Sequence, residues 1–284
     1  MVLKPNGVQS KTITTYLNPI ILKLIDLAIQ ASIEAGKKIM DIYASDFEVE
    51  TKADESPLTI ADKRANDVII SYLKQTNIPI ISEENKQTDF SERKQWDQCW
   101  IVDPLDGTKE FVKRNGEFTV NIALVKNGTP ILGVIYVPDF KTLYFSEVET
   151  KKAFKAKLKS HTVTLDKIYD TVSEIKPVKG QDKARIVGSR SHLNEETQKF
   201  IDTISENEEV EIVSKGSSLK FCLVAEGKAD LYPRYAPTME WDTAAGHAIC
   251  LAVGVTVTAL PANTPLQYNK DNLLNPWFLV SNRD

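Results

Sequence analysis

The spacing of apolar residues changes near residue 160 and divides the chain into two parts. In the first part, apolar residues recur at intervals of three and four over residues 19–43 and again from Thr59, which predicts two amphipathic helices. Short apolar runs then predict strands over residues 78–81, 100–102, 118–124, 131–137 and 143–148. Because short turns join most of these strands, we expect an antiparallel sheet with both helices packed on it.

The second part alternates strands with helices after a polar, lysine-rich connector over residues 162–182. The pattern predicts strands at residues 185–188, 211–213, 229–232, 255–258 and 277–280, and helices at residues 194–204, at 217–226 and from Asp242. Such alternation indicates a mixed α/β unit. We therefore expect an α+β domain over residues 1–160, which carries the antiparallel sheet, and a smaller α/β domain over residues 161–284.

The composition is that of an ordinary globular protein of 284 residues, of which 42% are hydrophobic and 26% are charged. No apolar run approaches the roughly 20 residues that span a membrane, and the N-terminus lacks the features of a signal peptide. Cys99, Cys222 and Cys250 lie far apart in apolar contexts, which predicts buried free thiols in a reducing compartment. We therefore expect a cytoplasmic protein, and peripheral attachment to the inner face of the membrane stays open.

The charge distribution bears on the class of partner. A net charge of −4 argues against nucleic acid. One basic run, over residues 151–159, has lysines that alternate with apolar residues as on a half-exposed strand. It predicts either a solvated strand edge or a patch that binds polyanions.

Carboxylates stand at the ends of several predicted elements, where candidate chemistry concentrates. Asp103 and Asp106 flank a proline turn that follows an apolar strand, and Glu83-Glu84 closes another strand. Asp62 lies in the first turn of the second predicted helix, and Asp242 begins a late helix. A buried carboxylate is costly unless a cation meets it, and carboxylate oxygens are the ligands that hard divalent cations prefer.

Each of these carboxylates also has a purely structural interpretation. Asp62 would form a capping box with Thr59, and Asp242 would be a helix N-cap. The Glu83-Glu84 pair would be a solvated strand end, and residues 103–107 would be an ordinary turn. Only the order and spacing of all four together favour a metal site.

Two motifs give the chain a specific resemblance. Residues 103–108 read Asp-Pro-Leu-Asp-Gly-Thr, and residues 241–246 read Trp-Asp-Thr-Ala-Ala-Gly. With the Glu83-Glu84 pair, they resemble the signature of the inositol monophosphatase superfamily, and the likeness covers nearly the whole chain. It implies a layered αβαβα fold of the sugar-phosphatase type and a phosphatase that depends on Mg²⁺, with two or three ions bound.

Further segments resemble one branch of that superfamily, the CysQ-type 3′(2′),5′-bisphosphate nucleotidases. They are Lys109-Glu110-Phe111, residues 113–121, residues 216–227 and residues 232–234. This likeness implies hydrolysis of the 3′-phosphate of adenosine 3′,5′-bisphosphate to AMP and phosphate, in sulfur metabolism, and inhibition by lithium. The sulfated nucleotide is a further candidate substrate.

The resemblance also implies roles for individual residues. It implies that Thr108 and Asp62 orient and deprotonate the attacking water, and that the amides of Gly107 and Thr108 receive the phosphate. His192 and Lys220 match positions that hold the nucleotide, but both also fit solvated polar residues; Ser217 and Arg234 match such positions as well. The implied metal ligands are Glu83, Asp103, the backbone carbonyl of Leu105, Asp106 and Asp242. Of these, Glu83, Leu105, Asp106 and Asp242 are also expected to contact the substrate.

Two other functions stay open on the sequence. The first is an inositol or other sugar phosphatase of the same fold, which would share the metal ligands and differ in the pocket. The second is a non-catalytic nucleotide or metal sensor. In each case the partner is a small molecule, and both a monomer and a homodimer are compatible with the sequence.

Overall fold

A computed structural model describes residues 17–45, 57–178, 183–188 and 194–283. Within these ranges, two β-sheets alternate with helices in five layers, in the order helix, sheet, helix, sheet, helix. Separate apolar clusters fill the spaces between the layers. The layered αβαβα fold expected from the sequence is therefore confirmed.

The first two layers come from residues up to Glu174. Helices α1 (Pro19–Tyr43) and α2 (Pro57–Leu73) pack on one face of a seven-stranded sheet. Asn18 caps α1, and its side chain accepts a hydrogen bond from the amide of Ile20 at 3.0 Å. In spatial order, which is also chain order, the strands are β1 (Ile80–Ser82), β2 (Gln98–Asp106), β3 (Thr119–Lys126), β4 (Thr129–Val137), β5 (Thr142–Glu147), β6 (Lys152–Lys157) and β7 (Ser173–Glu174).

Short helices connect some of these strands. They are a 3₁₀ turn (Lys74–Thr76), α3 (Phe90–Arg93), α4 (Thr108–Val112) and α5 (Leu165–Tyr169). Of these, α4 directly follows the turn at the end of β2, so it lies beside the candidate carboxylates.

The remaining three layers come from the second part of the chain. Helix α6 (Glu195–Ser205) packs on the outer face of a six-stranded sheet, and α7 (Leu219–Ala225) and α8 (Glu240–Ala252) lie between the two sheets. This second sheet contains both parallel and antiparallel pairs. Its strands, in spatial order, are β12 (Thr264–Pro265), β11 (Thr256–Ala259), β13 (Phe278–Ser281), β10 (Leu231–Arg234), β8 (Ala184–Val187) and β9 (Val210–Val213).

Helix α8 approaches the first sheet closely because a glycine faces it. A Cβ atom at Gly133, on β4, would lie 2.4 Å from the carbonyl oxygen of Ala245 and 2.8 Å from the Cβ atom of Ala248. Both distances are far below van der Waals contact, so only glycine fits without a shift of the helix. The height of α8 above the sheet is therefore set at this position.

We expect Gly133→Ala to lower the free energy of unfolding by about 1–3 kcal/mol, the usual cost of overpacking a core. Urea unfolding followed by circular dichroism measures it. Thr129→Ser, at the exposed start of the same strand, is the control and should change stability by less than about 0.5 kcal/mol. A Gly133→Ala protein as stable as wild type would mean that the helix moves away without cost.

Several sequence predictions need correction at the helix starts. Helix α2 begins at Pro57, so Thr59 lies inside the helix and Asp62 lies in the second turn. The capping-box interpretation of Asp62 is therefore wrong. Proline tolerates the first helical position, and this was the available signal for the earlier start. Helices α7 and α8 begin at Leu219 and Glu240, so Asp242 is the third residue of its helix and not its N-cap.

The first sheet also differs from the prediction. β1 pairs with β2 in parallel, because the chain crosses over through α3 before β2 begins, whereas the other pairs are antiparallel as predicted. Strand β2 continues through Pro104 to Asp106 instead of ending at Val102. The predicted connector contains α5 and β7, so the first sheet reaches Glu174. The domain division between residues 160 and 161 stays a prediction.

Other expectations concern thiols, lysines and membranes. The three cysteines are buried free thiols, as predicted. Lys155 and Lys152 form ion pairs with Glu226 and Glu174 at 2.8 and 2.6 Å, which disfavours the polyanion patch. Over the described ranges, none of the helices is long and apolar enough to cross a bilayer.

Candidate active site

The end of β2 brings two carboxylates to the same side of the sheet. Residues three apart on a regular strand face opposite sides, but the pairing of β2 with β3 shifts register between Asp103 and Asp106. Pro104 lies in this irregular stretch, where a residue that cannot donate to the ladder is tolerated. Asp103 is only 1% exposed, and its carboxylate accepts a hydrogen bond from the amide of Leu105 at 3.0 Å.

Asp106 is held by residues from two other elements. Its Oδ2 atom accepts hydrogen bonds from the amide and the hydroxyl of Ser218 at 2.6 and 2.9 Å. Thr119 and Asn121, both on β3, approach the same oxygen at 3.4 Å. These contacts leave the other carboxylate oxygen, Oδ1, available for a ligand.

Asp242 reaches the same place from helix α8. Its Oδ2 atom accepts a hydrogen bond from the amide of Met239, just before the helix, at 2.8 Å. The hydroxyl of Ser218 lies 2.9 Å from the Asp242 backbone carbonyl and so joins this helix to Asp106. The N-terminal end of a helix also favours a negative charge, which helps to keep the Asp242 carboxylate there.

The three carboxylates converge into a candidate metal centre. Each of Asp103, Asp106 and Asp242 offers an oxygen atom, and these oxygens lie within 4.8 Å of one another. Within the described ranges, no lysine or arginine forms an ion pair with any of them. A closely packed set of hard oxygen donors without a protein cation fits a divalent metal ion.

The electrostatics of the cluster agree with this interpretation. Burial, and then the charges of Asp106 and Glu83, raise the pKa of Asp103 well above its usual range. Burial and the charge of Asp106 raise the pKa of Asp242 to about 7. Carboxyl groups that repel each other in this way gain most from a cation placed between them.

Glu83 lies at the edge of this cluster. It follows β1, and its carboxyl group interacts with that of Asp103, but it does not belong to the set of oxygens that meet within 4.8 Å. Burial raises the pKa of Glu83, and the interaction with Asp103 partly opposes that rise. Leu105 lines the same cleft.

The predicted catalytic pair comes from two helices that contact each other, α2 and α4. Burial, and then the charges of Glu84 and Glu83, raise the pKa of Asp62 to about 8. Thr108 is the exposed first residue of α4 and follows Gly107, whose φ of 103° requires glycine. No hydrogen bond joins Thr108 to Asp62, although both residues are described.

A cleft of about 740 Å³ contains most of the remaining predicted residues. On the side of the second sheet, the buried Ser217 Oγ and Arg234 Nε atoms have no hydrogen-bond partner. Lys220 donates to the Ser217 carbonyl at 3.2 Å and lies 5.9 Å from the ring centroid of Tyr232. His192 lies outside the described residues. The predicted residues that line the cleft are Glu83, Asp103, Leu105, Asp106, Gly107, Thr108, Ser217, Lys220, Arg234 and Asp242.

Sequence reasoning missed residues that support the site rather than form it. Ser218 and Asn121 connect Asp106 to its surroundings, and Lys215 adds a cation to the cleft wall. Ser218 lies in a segment that carried the resemblance, next to Ser217, so the signal was present. Asn121 sits in an alternating strand, where a polar residue reads as exposed, but it is only 1% exposed.

The family profile described as "Inositol monophosphatase family" matches residues 22–281 of the chain. That match covers far more than half of its length. The chain belongs to the inositol monophosphatase family. Members of this family are metal-dependent phosphatases, in agreement with the acidic cluster found here.

Several relatives share most of the chain. The 3′(2′),5′-bisphosphate nucleotidase CysQ of Salmonella typhimurium is 41% identical over 262 residues, which are 91% of this chain and 99% of that protein. CysQ of Escherichia coli K12 is 42% identical over 263 residues, with the same two coverages, 91% and 99%.

Solved structures give the same family. The crystal structure of CysQ from Bacteroides thetaiotaomicron has a TM-score of 0.85 and 50% sequence identity, and it covers 93% of this chain and 98% of its own. Inositol monophosphatase II of Staphylococcus aureus has a TM-score of 0.71, with 22% identity, and covers 92% and 89% of the two chains. At that identity the second likeness shows the fold alone.

Proposed function

We propose that the protein is a Mg²⁺-dependent 3′(2′),5′-bisphosphate nucleotidase, which removes the 3′-phosphate of adenosine 3′,5′-bisphosphate and gives AMP and phosphate. The observation that carries this proposal is the convergence of Asp103, Asp106 and Asp242 within 4.8 Å in one cleft. The names of the relatives with 41–42% identity point to the same substrate. The sulfated nucleotide is a second candidate substrate of the same site.

The proposed ligands of two or three Mg²⁺ ions are Asp103, Asp106 and Asp242, with Glu83 and the Leu105 carbonyl at the edge. A divalent ion bound there would lower the pKa of a water molecule and offset negative charge that develops on phosphate oxygens. The residues of the chain would supply orientation and proton transfer. Phosphoryl transfer needs little covalent help from the protein, so no nucleophilic side chain is required.

Asp62 is the proposed base, and it acts through Thr108. Burial and the charge of Glu84 raise the pKa of Asp62 to about 8, so its ionised form is a stronger base than an ordinary carboxylate. Catalytic hydrogen bonds are often long or poorly aligned before substrate binds, so the lack of a Thr108–Asp62 bond in the structure does not oppose this role. The amides of Gly107 and Thr108 would receive the phosphate.

The cationic wall of the cleft supports an anionic, nucleotide-sized substrate. Besides Lys220 and Arg234, it contains Lys109, Lys113 and Lys215, of which Lys215 pairs with Glu117 at 2.7 Å. The unpartnered Ser217 Oγ and Arg234 Nε atoms are donors that a second phosphate would satisfy.

We propose a cytoplasmic location as well, because the three buried free thiols suit a reducing compartment.

A substrate panel tests the proposal. With Mg²⁺, we expect kcat/KM for adenosine 3′,5′-bisphosphate to exceed that for inositol 1-phosphate by at least about 100-fold, or about 2.7 kcal/mol of transition-state binding. Phosphate release measures both rates. Lys220→Met should weaken the reaction of the nucleotide more than that of inositol phosphate. Equal or reversed rates on the two substrates would assign the protein to the inositol or sugar phosphatases instead.

A further inference from the structure

A buried carboxylate that the proposed reaction does not use lies two residues before Asp242. Glu240 is the first residue of α8, and it is 0% exposed. Carboxylates are seldom fully buried unless other groups of the protein hold them. The partners of Glu240 therefore indicate what it does.

Glu240 fixes the start of α8 to a neighbouring segment of the chain. One carboxylate oxygen accepts a hydrogen bond from the amide of Asn269 at 2.6 Å. The other accepts from the amide of Lys270 at 3.0 Å and from its ammonium group at 2.5 Å. The Lys270 ammonium also donates to the carbonyl of Gln267 at 3.0 Å. Both oxygens of Glu240 are thus committed to residues 269 and 270.

The segment that receives Glu240 is itself held in place by Arg93. This arginine, on α3, is only 3% exposed, and its guanidinium group donates to the side chain of Asn269 at 2.8 Å and to the Lys270 carbonyl at 3.0 Å. It also donates to the Asp271 carbonyl at 3.2 Å, and the Asn269 amide group donates back to the Arg93 carbonyl at 2.8 Å. Glu240 therefore connects α8 to a segment that Arg93 holds in place by hydrogen bonds.

Residues 273 and 275 also hold the start of α8 around Glu240. The side chain of Asn275 donates to the Met239 carbonyl at 2.7 Å and to the Thr243 hydroxyl at 3.0 Å. The Glu240 amide donates to the Leu273 carbonyl at 3.0 Å. These are neutral hydrogen bonds, whereas the contact of Glu240 with Lys270 is charge-assisted and stronger.

We infer that Glu240 is a positioning residue for Asp242: with Lys270, it fixes the first turn of α8 so that the Asp242 carboxylate meets Asp103 and Asp106. The inference rests on the proposed function of the cluster as a metal centre. Some groups orient metal ligands without contacting the ion, and their replacement changes the affinity for the metal. A buried ion pair contributes little net stability over an apolar pair, so fixing one conformation is a reason to keep it.

Glu240→Gln tests the inference. The new amide side chain would keep one acceptor, but its NH₂ group would face a donor in either orientation, the amide of Asn269 or the two donors of Lys270. We expect the Mg²⁺ concentration at half-saturation to rise about tenfold or more, while kcat at saturating Mg²⁺ stays within about twofold of wild type. Calorimetric titration of the protein with Mg²⁺, without substrate, measures the first effect independently of activity. Lys270→Met should shift the Mg²⁺ titration in the same direction.

The matched control is Glu226→Gln. Glu226 caps the far end of α7, accepts a hydrogen bond from Tyr144 at 2.6 Å and pairs with Lys155 and Lys228, so it too is a largely buried, ion-paired carboxylate. We expect this variant to lower the melting temperature and to leave the Mg²⁺ titration unchanged.

Two results would overturn the inference. One is a Glu240→Gln protein with a lower melting temperature and the Mg²⁺ affinity of wild type, since the carboxylate would then have a structural role only. The other, which applies even if that variant fails to fold, is a folded Lys270→Met protein with an unchanged Mg²⁺ titration. Failure of the proposed function is separate, because it would appear as wild-type protein that binds Mg²⁺ and releases no phosphate from the nucleotide.

Discussion

Asp106→Asn should reduce turnover of adenosine 3′,5′-bisphosphate by at least about 10³-fold, which corresponds to about 4 kcal/mol of transition-state stabilisation. Asparagine keeps the shape of the side chain, and its oxygen still accepts the hydrogen bonds from Ser218. The charge is lost, and with it an anionic oxygen of the cluster formed with Asp103 and Asp242. Phosphate release at several Mg²⁺ concentrations measures the loss.

The variant should remain folded. Because the carboxylates of the cluster repel one another, removal of one charge should keep or raise the melting temperature in EDTA. Asp67→Asn is the control, since Asp67 is exposed on α2, the helix that carries Asp62. Full activity of Asp106→Asn at low Mg²⁺ would contradict a role for Asp106 as a metal ligand.

In EDTA, the free energy of unfolding should fall by about 2–4 kcal/mol as pH rises from 6.5 to 8. The pKa values of Asp242 and Asp62 are raised in the folded state, to about 7 and about 8, and that of Asp103 is raised as well. In this window the folded protein binds more protons than the unfolded chain, in which these groups are ionised. Stability that is present at low pH is therefore lost as pH rises through the folded-state pKa values.

The window begins at pH 6.5 because two histidines act in the opposite direction below it. Burial lowers the pKa of His247 to about 3, and burial also lowers that of His161. These groups bind fewer protons in the folded protein than in the unfolded chain, so their contribution to stability rises with pH until about 6.5. Above that value the effect of the histidines fades and the carboxylates dominate the slope.

Thermal unfolding at several pH values, in EDTA and in Mg²⁺, measures this dependence. An ion that binds only the folded chain, at a concentration 100 times its dissociation constant, adds about 2.7 kcal/mol to the free energy of unfolding. Bound Mg²⁺ should also make the dependence of stability on pH less steep, because the carboxylates then stay ionised. Asp242→Asn in EDTA should also have a shallower slope than wild type. A stability that increases between pH 6.5 and 8 in EDTA would show that the cluster is not strained by its own charge.

The sequence predicts the parts of this structure that depend on local periodicity. The intervals of three and four give α1 at Pro19–Tyr43, and the alternation of apolar residues gives β3. The turn residues after the apolar run of residues 100–102 identify Asp103 and Asp106 as unusual, because carboxylates are costly to bury at the end of an apolar run. Periodicity does not say which strands are neighbours, so the parallel pairing of β1 with β2 was missed.

The contacts of the supporting residues could not be predicted from local periodicity, although Ser218 lies in a segment that carried the family resemblance. Ser218 contacts Asp106 and the Asp242 backbone only because three distant segments meet, and no local pattern encodes that meeting. Glu240 precedes a conspicuous Trp-Asp motif, but nothing local indicates its burial, since its partner Lys270 lies far along the chain. The start of α2 at Pro57 was missed because Thr59 and Asp62 imitate a capping box.

The closeness of α8 to β4 has a consequence for catalysis. Gly133 belongs to a strand that contributes none of the three carboxylates, and it touches the middle of the helix that carries Asp242. A methyl group added there would push the helix outward and carry an acidic oxygen away from the other two. The space between β4 and α8 at this one glycine thus helps to set the distances between the three carboxylates, although Gly133 contributes no oxygen to them.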